Sequence, residues 1–300
     1  MTATLADHRA LLYDSRDDLI PQLCERVATD LAHDGAVLLC VDPDVAAPVA
    51  ANVGPHERLQ LFDAGDRYTR PIEALAGLWS FSTAAISNGA AFVHSIGEIR
   101  FAGDEGDDAW HWYEGAVNEV LDDLDVRATC LYQAAETSRT VASARRTHPT
   151  IEHDDCVRRS DDFDPYAFAA PGAPELPARP ADIHLASIDE SRPVRDAIRQ
   201  HARGLPADTF DRTALVSSEL IANAIQHGGG FADVEVWFVD ASVIIAVRDD
   251  GPGLVDPFVS LRPPCIPKHG AGLWLSHLES DRFGIDSKPG GPTTVVAVVA

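Results

Sequence analysis

The feature that most constrains this chain is a seam. Residues 161–182, DDFDPYAFAAPGAPELPARPAD, contain five prolines and no sustained apolar period. Proline fixes φ and has no N–H to give to a helix or a strand ladder, so this segment reads as an extended, semi-rigid linker. It separates residues 1–160 from 183–300, two pieces of ordinary domain size. No fixed-period repeat relates them, and their hydropathy patterns differ.

In the first piece, apolar runs alternate with amphipathic segments. AVLLCV (36–41), RLQLFD (58–63), AAFVHSI (90–96) and RATCLY (127–132) read as buried strands, and the segments near 17–33, 69–88 and 109–124 as helices. Such alternation predicts an α/β domain, a parallel sheet covered on both faces. In the second piece IHLASI (183–188) reads as a strand, RPVRDAIRQHA (192–202) as a helix and 207–227 as a longer helix. ADVEVWFVD (232–240) and SVIIAVRDD (242–250) read as a hairpin, and TTVVAVV (293–299) as a final strand. Helices beside a mostly antiparallel sheet predict an α+β two-layer sandwich.

The net charge of −23 argues against direct nucleic-acid binding, which needs a basic surface. It is compatible with solubility alone, with a basic protein partner, or with a nucleotide pocket whose positive charge comes from Mg²⁺ and backbone N–H groups. The start, MTATLADHRA, has no basic region followed by an apolar core, and no uncharged apolar run of about 18 residues occurs, so neither a signal peptide nor a membrane span is expected. Five cysteines without a C-x-x-C pair fit free thiols in a reducing cytoplasm.

Three short elements in the second piece carry chemistry. In ELIANAIQHGGG (219–230), Glu219, Asn223 and His227 recur every four residues and lie on one stripe of an otherwise apolar helix. DDGPG (249–253) follows a strong strand, and HGAGL (269–273) opens another helix. An Asn carbonyl suits Mg²⁺, a hard cation that takes oxygen ligands. A carboxylate near a terminal phosphate can orient or deprotonate an attacking hydroxyl. An Asp at a strand end can accept a hydrogen bond from an exocyclic amine such as adenine N6. Glycines permit tight turns and close approach to a flat base, and G-x-G at a helix start leaves N–H groups for phosphate oxygens. Taken singly, these elements are equally compatible with a solvated helix face, a hairpin turn and a chance G-x-G.

In order, E-L-x-x-N-A-x-x-H, D-x-G-x-G and G-x-G-L resemble the N, G1 and G2 boxes of the GHKL (Bergerat-fold) ATPases, over residues 183–300. The lead-in from Ser191 to His227 and GLWLSHL (272–278) are similar in layout to anti-sigma-factor serine kinases of the RsbW and SpoIIAB type. The resemblance implies Glu219 as general base, Asn223 as Mg²⁺ ligand, Asp249 as the adenine-reading acid, Gly251 and Gly253 as shapers of its loop, and Gly270, Gly272 and Leu273 at the phosphate side, for an ATP–Mg²⁺ site. It implies a sigma factor and a STAS-type anti-anti-sigma protein as partners, the latter phosphorylated on Ser or Thr, with a homodimer of the ATPase domain. The family often places Arg between the last two glycines, where this chain has Ala271, and Lys268 is the nearby candidate for a phosphate cation. The lid, 254–268, is short and carries Pro263, Pro264 and Pro267. A stiff lid would favour a nucleotide-dependent clamp without kinase turnover. A sensor histidine kinase is the further alternative within the fold, and no phosphoacceptor box surrounds His201.

The first piece resembles a RecA-like core, yet G-x-x-x-x-G-K-[ST] is absent. HDGAVLLCV (33–41), YTRPIEAL (68–75), IGEIRF (96–101), WYEGAVNEVL (112–121), CLYQ (130–133) and RTHP (146–149) are similar to the DcmR-like MEDS sensory domain, with Gln133 where that family tends to have Asp. The resemblance implies a sensory ligand, with His94, Glu98, Trp112, Tyr113, Glu114, Cys130, Tyr132 and His148 as candidates and a pocket at the carboxyl ends of the strands. Each type also has an ordinary structural use: a cysteine as a small buried hydrophobe, an aromatic as core. His148, His153, Asp154, Asp155 and Cys156 invite a metal reading, but no recognised ligand spacing supports it.

Overall fold

The computed structural model describes residues 7–101, 108–121, 124–135, 138–154, 156–201, 205–264 and 271–300. The chain forms two compact units that meet in sequence between Ala169 and Ala170.

The N-terminal unit runs β1 (Asp7–Tyr13), α1 (Arg16–Ala32), β2 (Ala36–Val41), α2 (Pro43–Val53), β3 (Leu59–Asp63), α3 (Ala64–Arg67), α4 (Pro71–Ser87), β4 (Val93–Gly97), α5 (Asp108–Val120), β5 (Val126–Gln133), α6 (Ser138–Thr147), β6 (Thr150–His153) and β7 (Cys156–Arg159). The sheet order is β3-β2-β4-β5-β1-β6-β7. All neighbours are parallel except β6 and β7, so an antiparallel hairpin closes one edge of the predicted parallel sheet.

Strand alternation decides what each face meets. On β1, Leu11 and Tyr13 join a core with Leu19, Leu23 and Val27 of α1 and Val45 and Val49 of α2. Ala10 and Leu12 point the other way, with Tyr132 and Cys130 of β5, towards Val141 and Ala144 of α6. His8 shares the parity of Ala10 and Leu12, and so stands on that second face.

The C-terminal unit runs β8 (Ile183–Ile188), α7 (Arg192–His201), α8 (Ala207–His227), β9 (Ala232–Val239), β10 (Ser242–Asp249), a single 3₁₀ turn (Val259–Leu261), α9 (Gly272–Leu278), β11 (Arg282–Ser287) and β12 (Thr293–Val299). Its sheet, β11-β12-β10-β9-β8, is antiparallel throughout. One face packs Val234, Val236, Val243, Ile245, Val247 and Val295 against Val194 and Ile198 of α7 and Val216, Leu220, Ile221 and Ala224 of α8. The result is the two-layer α+β sandwich that the pattern predicts. The other face carries Trp237, Ala246 and Val296, with Ala173 and Ala181 laid on them. The Trp237 indole N–H donates to the Arg179 carbonyl at 3.1 Å.

The proline-rich seam is therefore extended but attached. Its first part stays with the N-terminal unit, where the Asp164 N–H donates to Arg146 O at 2.8 Å and Phe168 packs on the His111 ring. Its second part lies on the C-terminal sheet. Among the described residues, no helix is long and apolar enough to cross a membrane.

Candidate functional site

In the C-terminal unit, α8 carries the polar stripe over the sheet and ends at Gly228. A Cβ on Gly228 would lie 2.3 Å from the Asp249 side chain, so the bare glycine lets the helix end meet the end of β10. There the Asp249 carboxylate accepts a hydrogen bond from the Gly251 N–H through Oδ1 at 2.9 Å. This turns the chain sharply and leaves the second carboxylate oxygen with no protein partner among the described residues. Gly253 has φ +71°, and a Cβ there would lie 2.0 Å from Lys288 O. Both the left-handed backbone and the close packing require glycine.

Register places Asp249 opposite Thr293 on β12. Both line a cavity of about 440 Å³ with Asn223, His227, Gly253 and the apolar Leu220, Val247, Leu254, Leu273 and Val295. The Thr293 hydroxyl lies 2.9 Å from Ser287 Oγ, which accepts from the Leu254 N–H at 2.9 Å, fixing the loop after DDGPG to the rim. An apolar slot with a few convergent polar groups is what a small-molecule site requires.

Gly272, the first residue of α9, joins the third element to the first. A Cβ at that position would lie 2.6 Å from Asn223 Nδ2 and 3.0 Å from Glu219 Oε2. The structure thus brings Glu219, Asn223 and Gly272 together. Among the described residues, Asn223 Nδ2 is buried without a hydrogen-bond partner, a cost that a bound ligand would relieve. Glu219, one turn before Asn223, stands outside the cavity wall. Lys268 and Gly270 lie outside the described residues. Thr293 escaped the sequence reading because a Thr in TTVVAVV looks like any strand residue.

In the N-terminal unit the candidate sensor residues fall into separate places. His94 is buried, with Nδ1 2.6 Å from Asp30 Oδ2 and Nε2 2.8 Å from Thr129 Oγ1. Both ring nitrogens are therefore used, Nδ1 joining the sheet to α1 and Nε2 joining β4 to β5. Burial lowers its pKa despite the Asp30 carboxylate. Glu98, just past the carboxyl end of β4, accepts a hydrogen bond from the Tyr13 hydroxyl, and burial raises its pKa. Tyr113 is buried, edge-on to Trp110.

Glu114, Cys130, Tyr132 and His148 do converge, and His8 joins them. The Cys130 thiol donates to Glu114 Oε2 at 3.1 Å and the Tyr132 hydroxyl to Oε1 at 3.3 Å. Nε2 of His8 and of His148 lie 3.2 and 3.4 Å from Oε2. Burial pushes the Glu114 carboxyl up, but His148 and His8 outweigh it and hold the pKa well below the usual carboxylate range. Burial raises the Cys130 thiol pKa and lowers that of His148. This group sits against the sheet face under α5, close to the starts of β1 and β6, and not at the carboxyl ends of the strands where the pocket was expected. His8 was missed because the polar opening of β1, DHR, hides a strand.

Comparison with known proteins follows the same division. Residues 7–149 match the family model of MEDS, the MEthanogen/methylotroph, DcmR Sensory domain. Residues 185–298 match that of the histidine kinase-like ATPase domain, HATPase_c_2. The chain thus joins a MEDS domain to a GHKL-type ATPase domain. No curated protein matches it. Among solved structures, the catalytic domain of histidine kinase ThkA aligns at 13% identity and TM-score 0.27, covering 36% of this chain and 88% of that one. The histidine kinase domain of the blue-light activated kinase EL346 from Erythrobacter litoralis aligns at 14% and 0.27, covering 76% and 94%. Acinetobacter baumannii histidine kinase AdeS aligns at 17% and 0.25, covering 77% and 94%.

Proposed function

We propose that this protein is a cytoplasmic sensory anti-sigma regulator. Its C-terminal unit binds ATP–Mg²⁺, sequesters a sigma factor, and phosphorylates Ser or Thr on a STAS-type anti-anti-sigma partner in response to a signal at the N-terminal unit. The observation that carries the nucleotide reading is the meeting of Asn223 and Asp249 on one apolar cavity, with Gly272 packed against Asn223. Asp249 offers its free carboxylate oxygen to the exocyclic amine of adenine, while Val247, Leu273 and Val295 give the base an apolar slot. The Asn223 carbonyl oxygen is the ligand for Mg²⁺, which would neutralise phosphate charge. Glu219, beside Asn223 and outside the cavity wall, is placed to orient or deprotonate an incoming hydroxyl. The net charge of −23 suits a basic protein surface and disfavours direct nucleic-acid contact. The ATPase unit is also the proposed surface of a homodimer.

Labelled ATP tests this reading. Wild-type protein is expected to bind it and to pass label to an anti-anti-sigma partner. Absence of binding, or an Asn223→Ala variant that behaves like wild type, would contradict it.

One observation favours a second reading, a nucleotide-dependent clamp without turnover. The first part of the lid is held down: Phe258 and Leu261 are fully buried, and Arg262 pairs with Asp256. Saturable ATP binding with no label on any partner would select it. A histidine kinase would need a dimerising two-helix hairpin before β8, and residues 170–182 form no helix.

A further inference from the structure

The polar cluster of the N-terminal unit is built like a metal centre. His8 Nε2, Glu114 Oε2, Cys130 Sγ and His148 Nε2 all lie within 4.8 Å of one another. Glu114 Oε2 is 3.2 Å from His8 Nε2, 3.4 Å from His148 Nε2 and 3.1 Å from Cys130 Sγ, and His8 Nε2 is 3.4 Å from that sulfur. Zinc bonded to S, N and O in a tetrahedron sets its ligand atoms about 3.3–3.8 Å apart. The side chains come from β1, α5, β5 and the turn before β6. His8, Glu114 and His148 are at most 1% exposed.

The surrounding hydrogen bonds fix which ring nitrogens face the centre. The Asn118 amide donates through Nδ2 to Thr147 O at 2.8 Å and to Glu114 O at 3.1 Å. Its Oδ1 is thereby turned to His8 Nδ1, 3.1 Å away. An amide oxygen only accepts, so His8 carries its proton on Nδ1. His148 Nδ1 lies 2.9 Å from the Ala144 carbonyl and 3.0 Å from Thr147 Oγ1, whose own proton goes to Ser143 O. That nitrogen also carries the proton. Both rings therefore turn Nε2 towards the Glu114 carboxylate, and among the described residues His148 Nε2 is buried with no hydrogen-bond partner. Histidines held through the second nitrogen are the usual outer shell of a metal site. No Arg or Lys among the described residues pairs with Glu114.

We propose that His8, Glu114, Cys130 and His148 bind a divalent first-row transition metal ion of the zinc class. The donor set selects for it: two imidazoles and a sulfur suit Zn²⁺, Fe²⁺ or Co²⁺, whereas Mg²⁺ and Ca²⁺ take oxygen. Coordination breaks the Cys130 S–H bond, forms a metal–sulfur bond and releases the proton to solvent. A divalent ion with one carboxylate and one thiolate is then electrically neutral, so the buried centre carries no net charge. Four protein donors leave no open position, so this is a closed centre that ties the elements of the sensory unit together. It does not rest on the nucleotide reading.

Cobalt is the probe. Full-length protein, stripped with a chelator and titrated with Co²⁺, is expected to take up about one tightly bound ion per chain, with a thiolate-to-cobalt band in the near ultraviolet and intense tetrahedral bands in the visible, both bleached by Zn²⁺. Cys130→Ser should lose the near-ultraviolet band. Asn118→Ala, which frees the His8 ring, should keep the band and weaken affinity about 10- to 100-fold. His153→Gln and Cys156→Ser, at the exposed Asp14–His153–Asp154 group and beside it, should change nothing. A wild-type protein without the thiolate band overturns the assignment. So does a band that survives in folded Cys130→Ser, or one that disappears in His153→Gln or Cys156→Ser. If Cys130→Ser does not fold, Asn118→Ala decides: unchanged affinity there also overturns it.

Discussion

The two units treat their polar groups in opposite ways. The N-terminal cluster is sealed: Glu114 is fully buried, and each neighbour that touches it is held by a second contact. The C-terminal group is open: among the described residues, Asp249 keeps a free carboxylate oxygen and Asn223 an orphaned amide nitrogen, and both face a cavity. A sealed polar cluster is bound up with the stability of its unit, because each member is desolvated and depends on the others. An open one can be altered at little cost to the fold, because water replaces the missing partner.

The largest contrast should appear on deleting one carboxylate from each unit. Glu114→Ala, in metal-free protein, is expected to destabilise the N-terminal unit by about 2–4 kcal/mol, since it removes the acceptor of the Cys130 thiol and Tyr132 hydroxyl hydrogen bonds and leaves a cavity. Glu219→Ala should change the stability of its unit by no more than about 0.5 kcal/mol while abolishing label transfer. Denaturant unfolding followed by circular dichroism measures both. Equal losses in the two variants would remove the distinction.

Next in size are changes at the cavity. Asp249→Asn should weaken ATP roughly 10- to 100-fold through a lost charge-assisted hydrogen bond. Gly272→Ala should weaken it by a similar factor, because the new Cβ must displace Asn223. Both proteins should stay folded, and titration calorimetry checks both affinities. Full affinity in Gly272→Ala would show that the contact between the first and third elements is incidental.

The smallest effect is acid sensitivity. His94 has a folded pKa below its ordinary 6.5, so the unfolded chain takes up the proton first. Stability from this group is intact above the unfolded value and declines as pH falls through about 6.5 towards the folded value. His94→Gln should flatten that slope for the N-terminal unit and leave the C-terminal unit unchanged, as unfolding at a series of pH values would reveal.

Legibility in the sequence followed the same line. The C-terminal site could be read because its residues cluster in three short runs whose spacing encodes one helix face and two tight turns. Even there, Thr293 was invisible, since only strand register brings it to Asp249. The N-terminal cluster unites residues from position 8 to position 148. No local period links them, and β1 opens with three polar residues. α2 was hidden by Pro43 and Pro48: Pro43 opens the helix, where proline is tolerated, but Pro48 lies inside it, where proline reads as a breaker. The strands of continuous apolar character, such as AVLLCV, were plain because a strand buried on both faces needs no alternation.

The account turns on the claim that α8, the DDGPG turn and the start of α9 form one nucleotide pocket. Calorimetric titration of the full-length protein with ATP and Mg²⁺ tests this most directly, with wild type, Asn223→Ala and Asp249→Asn side by side. The account predicts saturable binding by wild type, Mg²⁺-dependent binding that is lost in Asn223→Ala, and weakened binding in Asp249→Asn. Saturable binding of equal strength in all three, or none in wild type, would contradict it.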